Sequence, residues 1–171
     1  MSTVVYLPPE DVYEFLVDFP RYANYSKHLT EVRQRGDGGP GSEDDLVFEW
    51  WKLRYVARSR VEAVDPPDRI DWRVVKDIDA AGYWAVEEAS GEAPPDRETA
   101  SRVTFHVDFH PESVDSNALS LPPFVNLSWV IERVKPKIEA EAERVVRRIV
   151  ADLEGESREV ELEIHSAPDT I

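Results

Sequence analysis

VVYLPPEDVYEFLVDFPRYANY, residues 4–25, is the stretch whose reading decides the fold. Thr3 to Leu7 is a short, β-branched apolar run that reads as one strand, stopped by Pro8 and Pro9. Proline suits a first helical turn because its missing N–H would have no partner there, and Glu10 and Asp11 sit where the positive end of the helix dipole favours carboxylates. Val12, Phe15, Leu16 and Phe19 then fall at i, i+3, i+4 and i+7, one apolar stripe on one helix face. The stripe ends there because Pro20 disfavours helical geometry in the residue before it. A second short helix begins at Pro20, with Tyr22, Tyr25 and Leu29 on one side. The stretch is therefore a strand followed by two short helices meeting at a corner.

Beyond Glu31 the period changes from 3.6 to two. Val32 lies in a polar strand that runs into Gly36-Asp37-Gly38-Gly39-Pro40-Gly41, a loop that no regular element crosses. Leu46, Phe48 and Trp50 alternate with Val47, Glu49 and Trp51, whereas Leu53, Tyr55, Ala57 and Val61 carry the opposite parity. A strand cannot change faces without a bulge or a tight turn, so one is expected at Trp51 and Lys52. Ile70, Trp72 and Val74, then Tyr83 to Glu87, then Val103, Phe105, Val107 and Phe109 supply further half-buried strands with turn residues between them.

Between Pro122 and Leu153 apolar residues keep a three-four spacing, interrupted by Pro136 and followed by Gly155 as a stop. At 1.5 Å per residue a helix of about 30 residues is some 45 Å long, enough to cross a domain. The order is strand, two short helices, about five or six antiparallel strands, one long helix. An antiparallel sheet has one apolar face to bury, and this helix is the one large element available to cover it. The class is α+β: a curved antiparallel sheet of about six or seven strands wrapped around a C-terminal helix. Residues 1–155 form the expected domain and 156–171 an extension, an edge strand or a loose tail.

Composition narrows the function. The chain has 171 residues, 42% hydrophobic, with 35 acidic against 20 basic side chains and a net charge of −15. Such a charge disfavours DNA and anionic membrane surfaces as partners. An acidic, lysine-poor surface also suits a salt-loving source, where strong salt screens self-repulsion. Absence of cysteine removes disulfides, thiolate metal sites and a cysteine nucleophile. Neither a signal peptide nor a run of about 18 apolar residues is indicated, so a cytoplasmic location without stable membrane insertion is expected.

Residues 4–25, together with LPPFVNLSWVIERVKPKIEAEAERVVRRIV at 121–150, resemble the SRPBCC superfamily, the START-like or helix-grip proteins that include polyketide cyclases and coenzyme Q-binding proteins. The resemblance runs to about Gly155 and implies an apolar pocket between sheet and terminal helix that takes lipids, isoprenoid quinones or polyketide-like molecules. By analogy with the coenzyme Q-binding branch, the expected use is carriage or sequestration without catalysis; no cofactor and a monomer or weak dimer are expected. Facing that pocket would be Tyr22 and Tyr25 at the rim, Phe48, Trp50, Tyr55, Trp72, Phe105 and Phe109 from the sheet, and Phe124, Leu127 and Ile131 from the helix. Aromatics on alternating strands also pack as plain core, and a tally of large side chains does not separate a filled core from a lined cavity. An alternative is a cyclase or dehydratase enzyme, which requires an inward-facing polar pair with a perturbed pKa. A third is a protein-interaction module, which requires a filled core and an exposed apolar patch that takes in Trp51.

Other chemistry is poorly represented. His106, Asp108 and His110 share one strand face, but opposite Phe105 and Phe109 and spaced about 6.6 Å per pair along the strand, a weak ligand set. Asp71, Asp77 and Asp79 read as a charged loop and outer face. No phosphate loop and no nucleophile motif is present. Tyr22, Tyr25, His28 and Arg73 are the polar groups able to anchor a ligand or move a proton if they point inward.

Overall fold

A computed structural model describes residues 1–50, 53–114 and 127–165, with the backbone alone at 53, 111, 127–136 and 138. Strand β1 (Ser2–Val5) leads into helix α1 (Pro9–Val17), which starts with proline in its first turn and buries Val12, Phe15 and Leu16. A 3₁₀ turn over Phe19–Asn24 follows, with Pro20 in its first turn. The second of the two expected helices is thus this shorter, tighter turn, and Leu29 belongs not to it but to the start of β2 (Leu29–Arg35).

Strands β3 (Glu43–Trp50), β4 (Leu53–Asp65), β5 (Arg69–Val74), β6 (Asp79–Glu88) and β7 (Ser101–His110) complete a seven-stranded antiparallel sheet in the order β1-β7-β6-β5-β4-β3-β2. The parity change foreseen at residues 51–52 is a hairpin, since Trp50 pairs with Leu53. Trp51 and Lys52 themselves lie outside the described residues. Register irregularities at Leu29/Glu31 and Val61/Ala63 bend the sheet, as bulges do.

Helix α2 (Leu127–Glu154) runs as one element through Pro136 and ends against Gly155, whose φ of 76° is the left-handed conformation that stops a helix. Its last turns bring Val145, Val146, Ile149, Val150 and Leu153 onto the core formed by Val5, Val12, Phe15, Val61, Ile70 and Val103. This is the helix-grip arrangement: sheet and helix hold one apolar layer between them, with α1 and the 3₁₀ turn closing one end.

After α2 the chain returns along β1 and so covers what would be an open sheet edge. Ser2 and Glu163 form an isolated antiparallel bridge, Thr3 Oγ1 donates to the Glu161 carbonyl, and Val160 is buried. Glu154, whose side chain is fully buried, accepts from the Tyr6 backbone N–H at 2.8 Å and from Arg158 through both carboxylate oxygens at 2.8 Å. That charge pair fixes the tail where it leaves the helix.

Candidate functional site

The concave face of the sheet is not completely filled. An outer chamber of about 300 Å³ lies over β3, β4, β5 and β7, lined by Asp44, Leu46, Phe48, Ala57, Ser59, Trp72, Val74 and Phe105, with Phe19 and Tyr22 from the 3₁₀ turn and Trp84 from β6. An inner chamber of about 200 Å³ lies under α1 and α2, lined almost wholly by aliphatic side chains and Phe15. Tyr22 and Trp84 border both chambers, and their rings meet edge to face with centroids 6.4 Å apart. These two rings form the partition.

Strand alternation explains which side chains arrive there. Asp44, Leu46, Phe48 and Trp50 share one parity on β3, and their register partners Ser59, Ala57, Tyr55 and Leu53 share one parity on β4. Trp72 on β5 pairs with Gly82 on β6. A Cβ at Gly82 would stand 2.7 Å from Trp72 Cζ2 and collide with the His106 carbonyl, so glycine is what lets the indole lie across the strand. There it stacks on Phe105, with centroids 5.6 Å apart and planes within 10°.

Of the residues singled out in the sequence, Tyr22, Phe48, Trp72 and Phe105 line the outer chamber. Phe48 is 38% exposed and Phe109 36%; Phe109 has the parity of Phe105 but lies beyond the chamber wall, near the end of β7. Trp50 stacks on His28 with centroids 4.6 Å apart, at the far end of β3 from Asp44. Tyr55 keeps its hydroxyl buried without a partner, and burial followed by the charge of Asp77 pushes its pKa up to about 12. Tyr25 is packed in the core, and its hydroxyl donates to Asp152 at 2.5 Å, so it borders neither chamber. Phe124 lies outside the described residues, as do the side chains of Leu127 and Ile131, whose backbone belongs to α2. Arg73 has the parity opposite to Trp72 and lies in a surface groove with Arg60 and Lys76, so it does not point inward. His106 stacks on Tyr83 of the convex face and meets Asp108 at 3.1 Å; among the described residues no group of metal-binding side chains converges.

Asp44 is the residue missed in the sequence. Only 3% exposed, it borders the outer chamber, and among the described residues its Oδ1 has no hydrogen-bond partner. Burial, and secondarily the neighbouring charge of Asp45, raises its pKa to about 6. Asp45, one residue on and facing the other way, is treated in the opposite manner. Arg58 at 2.7 Å and Arg35 at 2.6 Å hold its carboxyl below the ordinary range. Tyr22, across from Asp44, donates its hydroxyl to the Leu16 carbonyl at 2.5 Å, and burial raises its pKa further than the carboxylate does. The signal was available in the alternation itself: carried two residues back from Leu46, the inward parity falls on Asp44.

Residues 1–150 match the family described as polyketide cyclase / dehydrase and lipid transport. None of the curated proteins compared matches the chain. Similar solved structures include two di-domain aromatase/cyclases, StfQ of the steffimycin pathway (13% identity, TM-score 0.59) and BexL of the BE-7585A pathway (14%, 0.56). They cover 91% and 93% of this chain, which spans about half of theirs, 49% and 50%. A Thalictrum norcoclaurine synthase, solved with a transition-state analogue, is similar over 90% of this chain and 93% of its own at 11% identity and a TM-score of 0.53. At these identities the likeness is one of fold.

Proposed function

The chain belongs to the polyketide cyclase / dehydrase and lipid transport family, and from that membership we propose that it binds a small hydrophobic molecule, a lipid, isoprenoid quinone or polyketide-like compound, between sheet and helix. The observation that carries this is the pair of chambers walled by aromatic and aliphatic side chains, together about 500 Å³, within the range of ordinary ligand sites. Carriage or sequestration fits best, since most of the wall is inert. The domain over residues 1–155 would hold the site, with Tyr22, Phe48, Trp72 and Phe105 in contact with the guest. Native mass spectrometry of protein purified from its own host, followed by organic extraction, tests the reading. One hydrophobic molecule per chain is the expected result; protein that is repeatedly empty and takes up no added lipid or quinone would sink it.

A second reading is favoured by Asp44. A carboxyl with a pKa of about 6 exchanges a proton readily near neutral pH, which is what general acid–base catalysis on a bound guest requires. Turnover of a polyketide-like substrate that is abolished in Asp44→Asn while binding persists would establish this enzyme over the carrier.

A further inference from the structure

The outer chamber holds polar groups that the protein does not pair. Among the described residues, Asp44 Oδ1 has no donor and the buried Trp72 Nε1–H has no acceptor. Groups left in this state cost more than ordinary hydrogen bonds return, so each calls for an explanation. Asp44 is the more telling of the two. The cations near it go elsewhere, Arg58 and Arg35 to Asp45 on the opposite face, and among the described residues no Lys, Arg or His lies within ion-pair distance of Asp44. The titratable groups around it are Asp45 beside it on β3 and Tyr22 from the 3₁₀ turn, and Tyr22 has committed its only proton to Leu16. Among the described residues, nothing in the wall donates to Asp44 Oδ1.

We propose that Asp44 is the polar anchor of the chamber: it accepts a hydrogen bond from the hydroxyl or protonated amine at the head of an otherwise apolar guest, while Trp72 Nε1 donates to an acceptor on the same guest. The inference rests on the binding role proposed above and specifies the guest's chemistry. A wholly apolar guest would bury the carboxyl without relieving it, and an anionic guest would meet a like charge in an apolar enclosure. A donor head removes both costs, and the flat walls of Trp72, Phe105 and Trp84 suit a ring or a cation next to it.

Titration calorimetry at pH 7.5 on the full chain, stripped of carried ligand by organic extraction, tests this with three two-ring probes: 2-naphthol, 1-naphthylmethylamine and 2-methoxynaphthalene, which lacks a donor. Asp44→Asn keeps an acceptor oxygen without charge, and Asp44→Leu removes both. The ether leaves the carboxyl unrelieved, so it should bind both variants at least as tightly as wild type, and its binding shows that each variant retains its chamber. At least one donor probe should bind wild type about tenfold or more tighter than the ether and lose that advantage in Asp44→Leu. A naphthol preference partly kept in Asp44→Asn assigns a hydroxyl head; an amine preference lost in both variants assigns a cationic one. Donor probes that bind wild type no tighter than the ether, or that are indifferent to Asp44→Leu, overturn the anchor. If the ether and both donors all fail to bind wild type, the binding role falls and the anchor with it.

Discussion

Asp44 should make the protein less stable as the pH rises from about 4 to about 6, and Asp44→Asn should abolish that loss. Its folded pKa of about 6 stands above the unfolded value of 3.8, so in this interval the folded state holds a proton that the unfolded state has released. Stability then falls with pH, by about 1.4 kcal/mol per unit of difference, or about 3 kcal/mol once both states are ionised. Roughly 1 kcal/mol of that falls between pH 5.2 and 8, where the protein is safely above its isoelectric point of about 4.6. The total pH profile will not show it directly. Asp37, Asp45, Glu141 and Asp152 have lowered pKa values, so their contributions are present above their unfolded values and lost as the pH falls, the opposite trend. The difference between wild type and Asp44→Asn removes them. Urea titrations followed by tryptophan fluorescence at four or five pH values give that difference, with ligand-free protein in both arms. The variant should gain on wild type by about 1 kcal/mol between pH 5.2 and 8. A difference that stays constant to within about 0.3 kcal/mol would refute a desolvated, unpaired carboxyl at this position.

Trp72→Phe removes an indole N–H that has no partner and keeps a ring against Phe105, so unfolding free energy should change by less than about 1 kcal/mol in urea titrations. Guests with an acceptor should nevertheless bind more weakly in calorimetry. Gly82→Ala places a methyl group against both the β7 backbone and Trp72, and a loss of about 2 kcal/mol or more is expected, with a changed near-ultraviolet dichroism from the displaced indole. Arg158→Met leaves Glu154 fully buried without its cation and should cost about 3 kcal/mol at neutral pH. The tail beyond residue 158 should then be cut earlier in limited proteolysis, while the ether probe still binds.

The architecture was legible because it is written in period and punctuation. The stripe Val12, Phe15, Leu16, the break at Pro20, the parity change at residues 51–52 and the glycine at 155 each correspond to one backbone event. The second helix was less legible: six residues starting at Phe19 are too few to separate an α-turn from the tighter 3₁₀ one by spacing. The site was legible only in outline. Parity placed Phe48, Trp72 and Phe105 on the concave face, but parity says nothing about depth along the strand, which is why Phe109 lies beyond the chamber. Tyr25 and Tyr22 are three apart and chemically identical. Which one reaches the chamber depends on the partner each hydroxyl finds, Leu16 for one and Asp152 for the other, and those partners are set by tertiary packing. Asp44 was passed over because a carboxylate next to a second carboxylate reads as the solvated start of a strand. Only the three-dimensional placement of Arg35 and Arg58, both on the side of Asp45, shows that the two acids have different fates.

The partition between the chambers also bears on how long a guest can be. A molecule confined to the outer chamber has about 300 Å³; one that reaches the inner 200 Å³ must first move Tyr22 or Trp84. The two rings are not equally free. Tyr22 stacks on Phe15, meets Phe19 edge to face and holds a buried hydrogen bond to Leu16, so displacing it leaves an unpaired carbonyl and hydroxyl in an apolar layer. Trp84 is held in this cluster by its contacts with Phe105 and Tyr22. Rotation of Trp84 therefore costs less, and a guest with a long apolar tail would enter past the indole with Tyr22 as the fixed side of the opening. Its polar head would still end at Asp44, because among the described residues that line the inner chamber no buried polar group is left unpaired to compete for it.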